Sequence, residues 1–279
     1  MLFRSGPSRL AEPALTRYKN DRMSLARDGL LAGAAAVAGA INSVAGGGTL
    51  ISFPAAIFWG LPSTMANATN AVAMAPGALA SAWAYRRELG NDYRALATLS
   101  VPALVGAVAG AAILDHTSQR LFDAIVPWLV LGATLLILFQ GLLVRRTADD
   151  AAAAPAGRAR TGTAVACQLL VGVYGGYFGA GMGIVMLAFL SLLVAGDMHR
   201  KNAIKNLLGA LVNGVASIYF FAAGLVSGRA ALIMIVGAIA GGFVGARLAR
   251  RVSPRAVRAI VVAIGLSLSV LLAYRTYAR

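Results

Sequence analysis

No Asp, Glu, Lys, Arg or His occurs between Gly29 and Tyr85, nor between Thr161 and Gly196. Shorter uncharged runs cover Ala95–Leu114, Ala124–Val144, Asn206–Gly228, Ala230–Ala246 and Ala259–Tyr274. A helix needs roughly 20 apolar residues to cross the hydrocarbon of a bilayer. Each run therefore crosses or nearly crosses, and the two longest can do more. Inside lipid every backbone polar group must find its partner within the chain, which leaves helices or closed barrels. Barrel strands would alternate apolar and polar residues, and that alternation is absent. The expectation is an all-α polytopic membrane protein. Composition agrees, with 59% of residues hydrophobic and 13% charged, about half the charged share of a soluble domain.

The formal net charge of +15 would suit nucleic acid, but the cations lie in connectors beside apolar runs. That is where orientation signals and contacts with anionic headgroups belong. No basic face with interleaved aromatics occurs, so the partner implied is the lipid bilayer and no nucleic acid. The lone Cys167 forms no intrachain disulfide. The first apolar run is far longer than the core of a signal peptide, so no cleavable leader is expected.

Laid on itself with Ala45 on Ala180 and no gap, the chain shows a duplication. Gly46 and Gly48 fall on Gly181 and Gly183, and Asn67 and Ala68 on Asn202 and Ala203. Gly106, Gly110 and Ala111 fall on Gly241, Gly245 and Ala246, and Ser118 on Ser253. Internal duplication is a common construction for secondary transporters. Each copy reads as one Gly-interrupted segment, broken or re-entrant, followed by three transmembrane helices. The boundaries are a basic N-terminal tail 1–27, a first repeat 28–144, a linker 145–162 and a second repeat 163–279. The linker carries Asp149, Asp150, an Ala run, Pro155 and Gly157 and reads as a short polar joint.

Connector charges bear on whether the copies are parallel or inverted. The first copy has no Lys or Arg in Leu61–Thr64, then Arg86, Arg87 and Arg94, then Arg120, then four in the joint. The second has Arg200, Lys201 and Lys205, then Arg229, then five from Arg247 to Arg258, then two in the tail. The alternations are out of phase, which puts matching loops on opposite sides. Inverted copies need an odd number of crossings each, so every Gly-interrupted segment would enter and leave on one side. The six basic residues of the tail oppose this orientation, although Met23 offers an alternative start. Parallel copies, with each segment crossing once, are the alternative.

The stretch from Asp28 to Gly60 would run ~50 Å as one helix, well past the ~30 Å hydrocarbon. It contains Gly46, Gly47 and Gly48, each costing a helix about 1 kcal/mol relative to Ala. The chain should break there and restart near Thr49. The second copy repeats the device with Gly179, Ala180, Gly181, Met182 and Gly183. A broken helix at membrane depth is tolerated where it is buried in protein or lines a cavity. Its restarted end offers free N–H groups and a positive dipole, and two such ends facing each other would suit an anion. The competing reading is that these glycines only let helices pack closely.

The run Ala-Gly-Gly-Gly-Thr-Leu-Ile-Ser-Phe-Pro (45–54), followed by Gly-Leu-Pro-Ser-Thr-Met-Ala-Asn-Ala-Thr-Asn (60–70), resembles the first-repeat signature of the sulfite exporter TauE/SafE family. Phe-Gly-Ala-Gly-Met-Gly (178–183) with Asn202-Ala203-Ile204-Lys205-Asn206 is similar to the family's second half. The chain departs from it at Ile204 and Lys205, where many members carry a small polar pair. The resemblance covers roughly Gly29 to Ala273 and implies transport of small sulfur-containing anions, such as sulfite or organosulfonates, across the bacterial inner membrane. It implies a small anionic substrate and no cofactor, and leaves monomer and homodimer both open.

Polar residues near the breaks are the candidate binding groups. Asn42 and Ser43 precede the first break and Thr49 follows it. Asn67 and Asn70 share a helix face at i, i+3, and Asn202, Lys205 and Asn206 repeat that spacing. Asn213 lies two turns beyond. Asn67 and Asn202 are caps or ligands. Lys205, which aligns with Asn70, is either a snorkelling interface residue or an anion-attracting group at the inner mouth of the site.

No Asp or Glu lies within an apolar run, so the buried carboxylate common in proton-coupled carriers is absent. Neither a P-loop nor a hydrolase motif occurs, which argues against an enzyme. Two functions stand: a secondary anion transporter with its site between the Gly breaks, acting as an exporter, or a non-transporting membrane subunit whose glycines serve packing alone.

Overall fold

The computed structural model describes residues 11–44, 46–88, 93–153, 158–193, 198–248 and 253–277. The described residues form ten helices and no strand: α1 (Ala11–Val44), α2 (Thr49–Trp59), α3 (Ser63–Ala84), α4 (Tyr93–Asp115), α5 (Gln119–Ala153), α6 (Arg158–Tyr177), α7 (Met182–Leu193), α8 (Met198–Ala222), α9 (Gly228–Leu248) and α10 (Pro254–Tyr277). Six contain stretches long and apolar enough to cross a membrane: Ser24–Val44, Leu96–Asp115, Gln119–Gly141, His199–Ala222, Gly228–Leu248 and Ala256–Tyr277. Bulky apolar side chains such as Trp83, Leu170, Val236 and Val270 point outward. Water would disfavour so much exposed apolar surface, and lipid accepts it.

The N-terminal tail is helical from Ala11, because α1 begins there. The joint between repeats is mostly helix, since α5 runs to Ala153 and α6 starts at Arg158. Ala is the strongest helix former, so an Ala-rich polar stretch continues the helix until Pro155 disfavours it. Residues 154–157 of the linker lie outside the described residues.

Helices from the two halves of the chain interlock. α1 packs on α9 and α4 on α6, while α3 touches both α8 and α9. On α9, a Cβ added at Gly237, Gly241 or Gly245 would run into the backbone of Ala32, Ala36 or Ala40 in turn. That order makes α1 and α9 parallel and in backbone contact, as small residues allow in membranes. The matching seam joins α4 and α6, with Gly106 and Gly110 against Leu169 and Val173, and Gly176 against Ala107.

Two other helix pairs run the other way. Tyr85 at the end of α3 packs on His199 at the start of α8, ring centroids 6.0 Å apart. At the opposite end, Thr69 Oγ1 accepts the Ser227 N–H at 3.1 Å. α3 and α8 are therefore antiparallel. So are α5 and α10, where Thr276 meets the Asp123 carbonyl and Ser269 the Pro127 carbonyl. α2 folds back along α1: the Trp59 indole donates to Asp28 at 2.8 Å, and Gly48 abuts the backbone of Ala38. Arg229 at the start of α9 clamps this hairpin through an ion pair with Asp28 at 2.7 Å.

Candidate functional site

Between α1 and α2 the chain passes through Gly46 and Gly47, both at positive φ (80° and 93°). Between α6 and α7 it passes through Gly179 and Gly181 at φ 77° and 76°. An L side chain adopts that backbone only with strain. The two crossings touch: a Cβ on Gly46 would stand 3.3 Å from the Gly183 Cα and from the Ile184 nitrogen. The rest of each crossing is held by local bonds. Asn42 Oδ1 accepts the Gly48 N–H at 2.7 Å, so the last turn of α1 caps the restart of the chain into α2. In the second crossing the Tyr174 hydroxyl donates to the Ala180 carbonyl at 2.6 Å. Phe178 is wedged edge-on against Phe53 of α2, centroids 5.4 Å apart.

Where the crossings meet there is a small cavity of about 40 Å³. Its wall brings together Asn42, Gly46, Gly47 and Thr49 from the first segment and Gly179, Met182 and Gly183 from the second. Lys205 and Asn206 of α8 complete that set of sequence-derived candidates. Five further residues line it: Met74 and Ala78 on α3, Met186 on α7, and Gly209 and Asn213 on α8. Asn213 follows from Asn206 by helical spacing. Met74 and Ala78 lie on the face of α3 that bears Asn67 and Asn70, but apolar residues there carry no signal.

Lys205 is 3% exposed, so it does not snorkel to the interface. Its stem lies against Gly183, and its ammonium donates to the Asn42 carbonyl at 2.7 Å and more weakly to that of Ser43 at 3.5 Å. Asn206 Nδ2 adds a bond to the Ser43 carbonyl at 3.3 Å. One side chain thus bridges both crossings. Its cation sits at the C-terminal end of α1, where carbonyls lack helical partners and the dipole favours positive charge.

The remaining candidates lie off the cavity wall, each engaged elsewhere or packed away. The Ser43 hydroxyl bonds back to the Ala40 carbonyl. Gly48 faces Ala38, and Gly181 lies in contact with Ala133. Ala180 is buried under Tyr174. Asn67 neither caps α3, whose start at Pro62 has no side-chain cap, nor lines the cavity; its Nδ2 donates to the Tyr177 carbonyl at 2.8 Å. Asn70 Oδ1 accepts from the Ser52 hydroxyl at 2.5 Å. Asn202 is buried off the cavity wall, and its Oδ1 finds no hydrogen-bond partner among the described residues.

The family model described as "Sulfite exporter TauE/SafE" matches residues 31–272, which takes in both crossings and every residue that lines the cavity. The chain belongs to the sulfite exporter TauE/SafE family. As a TauE/SafE protein it is a multi-pass membrane protein of a transporter family. It is 25% identical to a "Probable membrane transporter protein" of Haemophilus influenzae, over 85% of this chain and 91% of the other. It is 28% identical to "Probable membrane transporter protein ORF9" of a Sinorhizobium species, over 85% and 88%. "Probable membrane transporter protein YfcA" of Escherichia coli K12 is also 28% identical, over 89% and 90%. No solved structure matches the chain significantly.

Proposed function

We propose that this TauE/SafE protein is a secondary transporter that exports a small sulfur-containing anion, sulfite or an organosulfonate, across the bacterial inner membrane. The cavity at the meeting of the two crossings carries the reading. Helices α2 and α7 begin at its wall, and each brings a dipole end worth roughly half an elementary positive charge. The Lys205 ammonium adds to them, and Asn42, Thr49, Asn206 and Asn213 supply polar contacts. A volume of about 40 Å³ holds only a few water-sized groups, which favours compact sulfite over a bulkier organosulfonate. The seam glycines Gly106, Gly110, Gly241 and Gly245 face neighbouring backbones and lie off the cavity, whereas Gly46, Gly47 and Gly179 line it, Gly46 also lying against the Gly183 backbone. An inside-negative potential drives anions outward, releasing about 2.3 kcal/mol per charge for each 100 mV.

The repeats are inverted in this proposal, each with a helical hairpin and three crossings. The antiparallel pairing of α3 with α8 and of α5 with α10 supports it, as does the return of α2 along α1. Alternating access then follows from rocking one repeat against the other about the shared site. Ser118 and Ser253 occupy matching, exposed turns. Cysteines placed there one at a time, in a Cys167→Ser background, should react with impermeant reagents from opposite sides; labelling from one side would rule inversion out. For function, proteoliposomes loaded with radiolabelled sulfite should release it faster than protein-free vesicles, and faster still when an outward-driving potential is imposed. Release equal to that of empty bilayers would overturn the transport reading.

A further inference from the structure

Main-chain carbonyls at the C-terminal end of a broken helix are, in many carriers, the groups that hold a coupling sodium ion. Here the equivalent oxygens, those of Asn42 and Ser43 at the end of α1, are taken by the Lys205 ammonium. We propose that Asn42 and Ser43 form a monovalent-cation site which this chain fills with its own lysine, so that transport runs without sodium. The inference rests on the transport reading above.

The chemistry of the contacts carries it. A buried ammonium is costly unless something compensates its charge, and the usual compensation is a carboxylate. The partners of Lys205 are instead two carbonyl oxygens backed by the negative end of the α1 dipole. Such a site neutralises nothing formally, so the positive charge stays available to an anion in the adjoining cavity, as a bound sodium ion's would. Asn206 donates to the Ser43 carbonyl from the same face of α8, which fixes that oxygen toward the ammonium. The position in the first repeat that matches Lys205 is Asn70, a neutral residue bonded to Ser52. The cation is therefore a feature of one half only and not part of the repeated scaffold. Replacing it with a neutral, oxygen-bearing side chain should leave two carbonyls and an amide oxygen around a space of ammonium size, which suits sodium with water completing its shell.

The test compares wild type with Lys205→Asn, Lys205→Gln and Lys205→Arg, purified in detergent and melted in sodium chloride or choline chloride at equal ionic strength. Wild type and Lys205→Arg should unfold at the same temperature in both salts, because the site is already occupied. Lys205→Asn or Lys205→Gln should unfold at a higher temperature in sodium. In proteoliposomes, sulfite release by wild type should be indifferent to the salt, and release by the neutral variants should be about tenfold faster with sodium. Sodium-dependent stability or flux of wild type would overturn the proposal, as would neutral variants that fold but respond equally to sodium and choline. If sodium stabilises the neutral variants while wild type releases no sulfite, the cation site stands and the transport reading falls.

Discussion

The two helix breaks, one between α1 and α2 and one between α6 and α7, have their exposed carbonyls closed by different chemistry. At the second, the Tyr177 carbonyl accepts from the neutral amide of Asn67 on α3. At the first, the carbonyl in register with it, that of Asn42, accepts from the ammonium of Lys205 on α8. The second is also wedged by the Phe178 ring against Phe53 and Phe122, while the first is held by hydrogen bonds, from Gly48 N–H to Asn42 Oδ1 and from Gly46 N–H to the Ile41 carbonyl. The positive-φ glycine geometry thus recurs at both breaks, and the ammonium occurs at the first. A binding site between such halves, as proposed above, is not symmetric: its positive side is the one that carries Lys205.

The strongest attack on this comparison removes the breaks themselves. Gly47→Leu and Gly181→Leu each force a side chain onto a backbone at positive φ, and at Gly47 the Cβ would also meet Ile137. Each should lower sulfite affinity by about a hundredfold, with Gly47→Leu the worse, in equilibrium binding to protein first shown to be folded. Normal binding by either would remove that break from the site. A middle-sized effect is expected at Lys205. Lys205→Met strands the Asn42 carbonyl and should cost about 2 kcal/mol of stability, read from detergent unfolding. It should also weaken sulfite binding by about tenfold, with little change as salt is raised, since buried charges are poorly screened. The smallest effect is expected at the neutral counterpart. Asn67→Ala should cost about 1 kcal/mol and leave sulfite affinity nearly unchanged, because Asn67 lies off the cavity wall. Equal losses at Lys205 and Asn67 would erase the difference between the two ends.

The all-helical class and the Gly runs were legible because lipid leaves so few options: uncharged runs must be helical, and clustered glycines must interrupt them. The cavity was legible in its backbone part, through Gly46, Gly47, Gly179 and Gly183, and in part through the polar spacing of Asn206 and Asn213. What sequence could not disclose is the partner of Lys205. Its acceptors are main-chain oxygens of α1, far away along the chain, and a carbonyl is the same in every residue. Asn67 stayed open between cap and ligand for a related reason: its partner, the Tyr177 carbonyl at the end of another helix, is far away along the chain.

The seam between α1 and α9 has a consequence for biosynthesis. The small-residue stripe of α1 finds its backbone partner roughly 200 residues later in the chain. At the usual 5–20 residues per second of translation, that is a wait of about 10–40 s. Throughout it the first repeat sits in the bilayer with the stripe at Ala32, Ala36 and Ala40 facing lipid and Asp28 without Arg229. The hairpin of α1 and α2 is therefore a provisional structure when it forms, and the cavity beside it comes into being only when the last third of the chain arrives. A messenger cut before α9 would leave a protein that is inserted but has no finished interior.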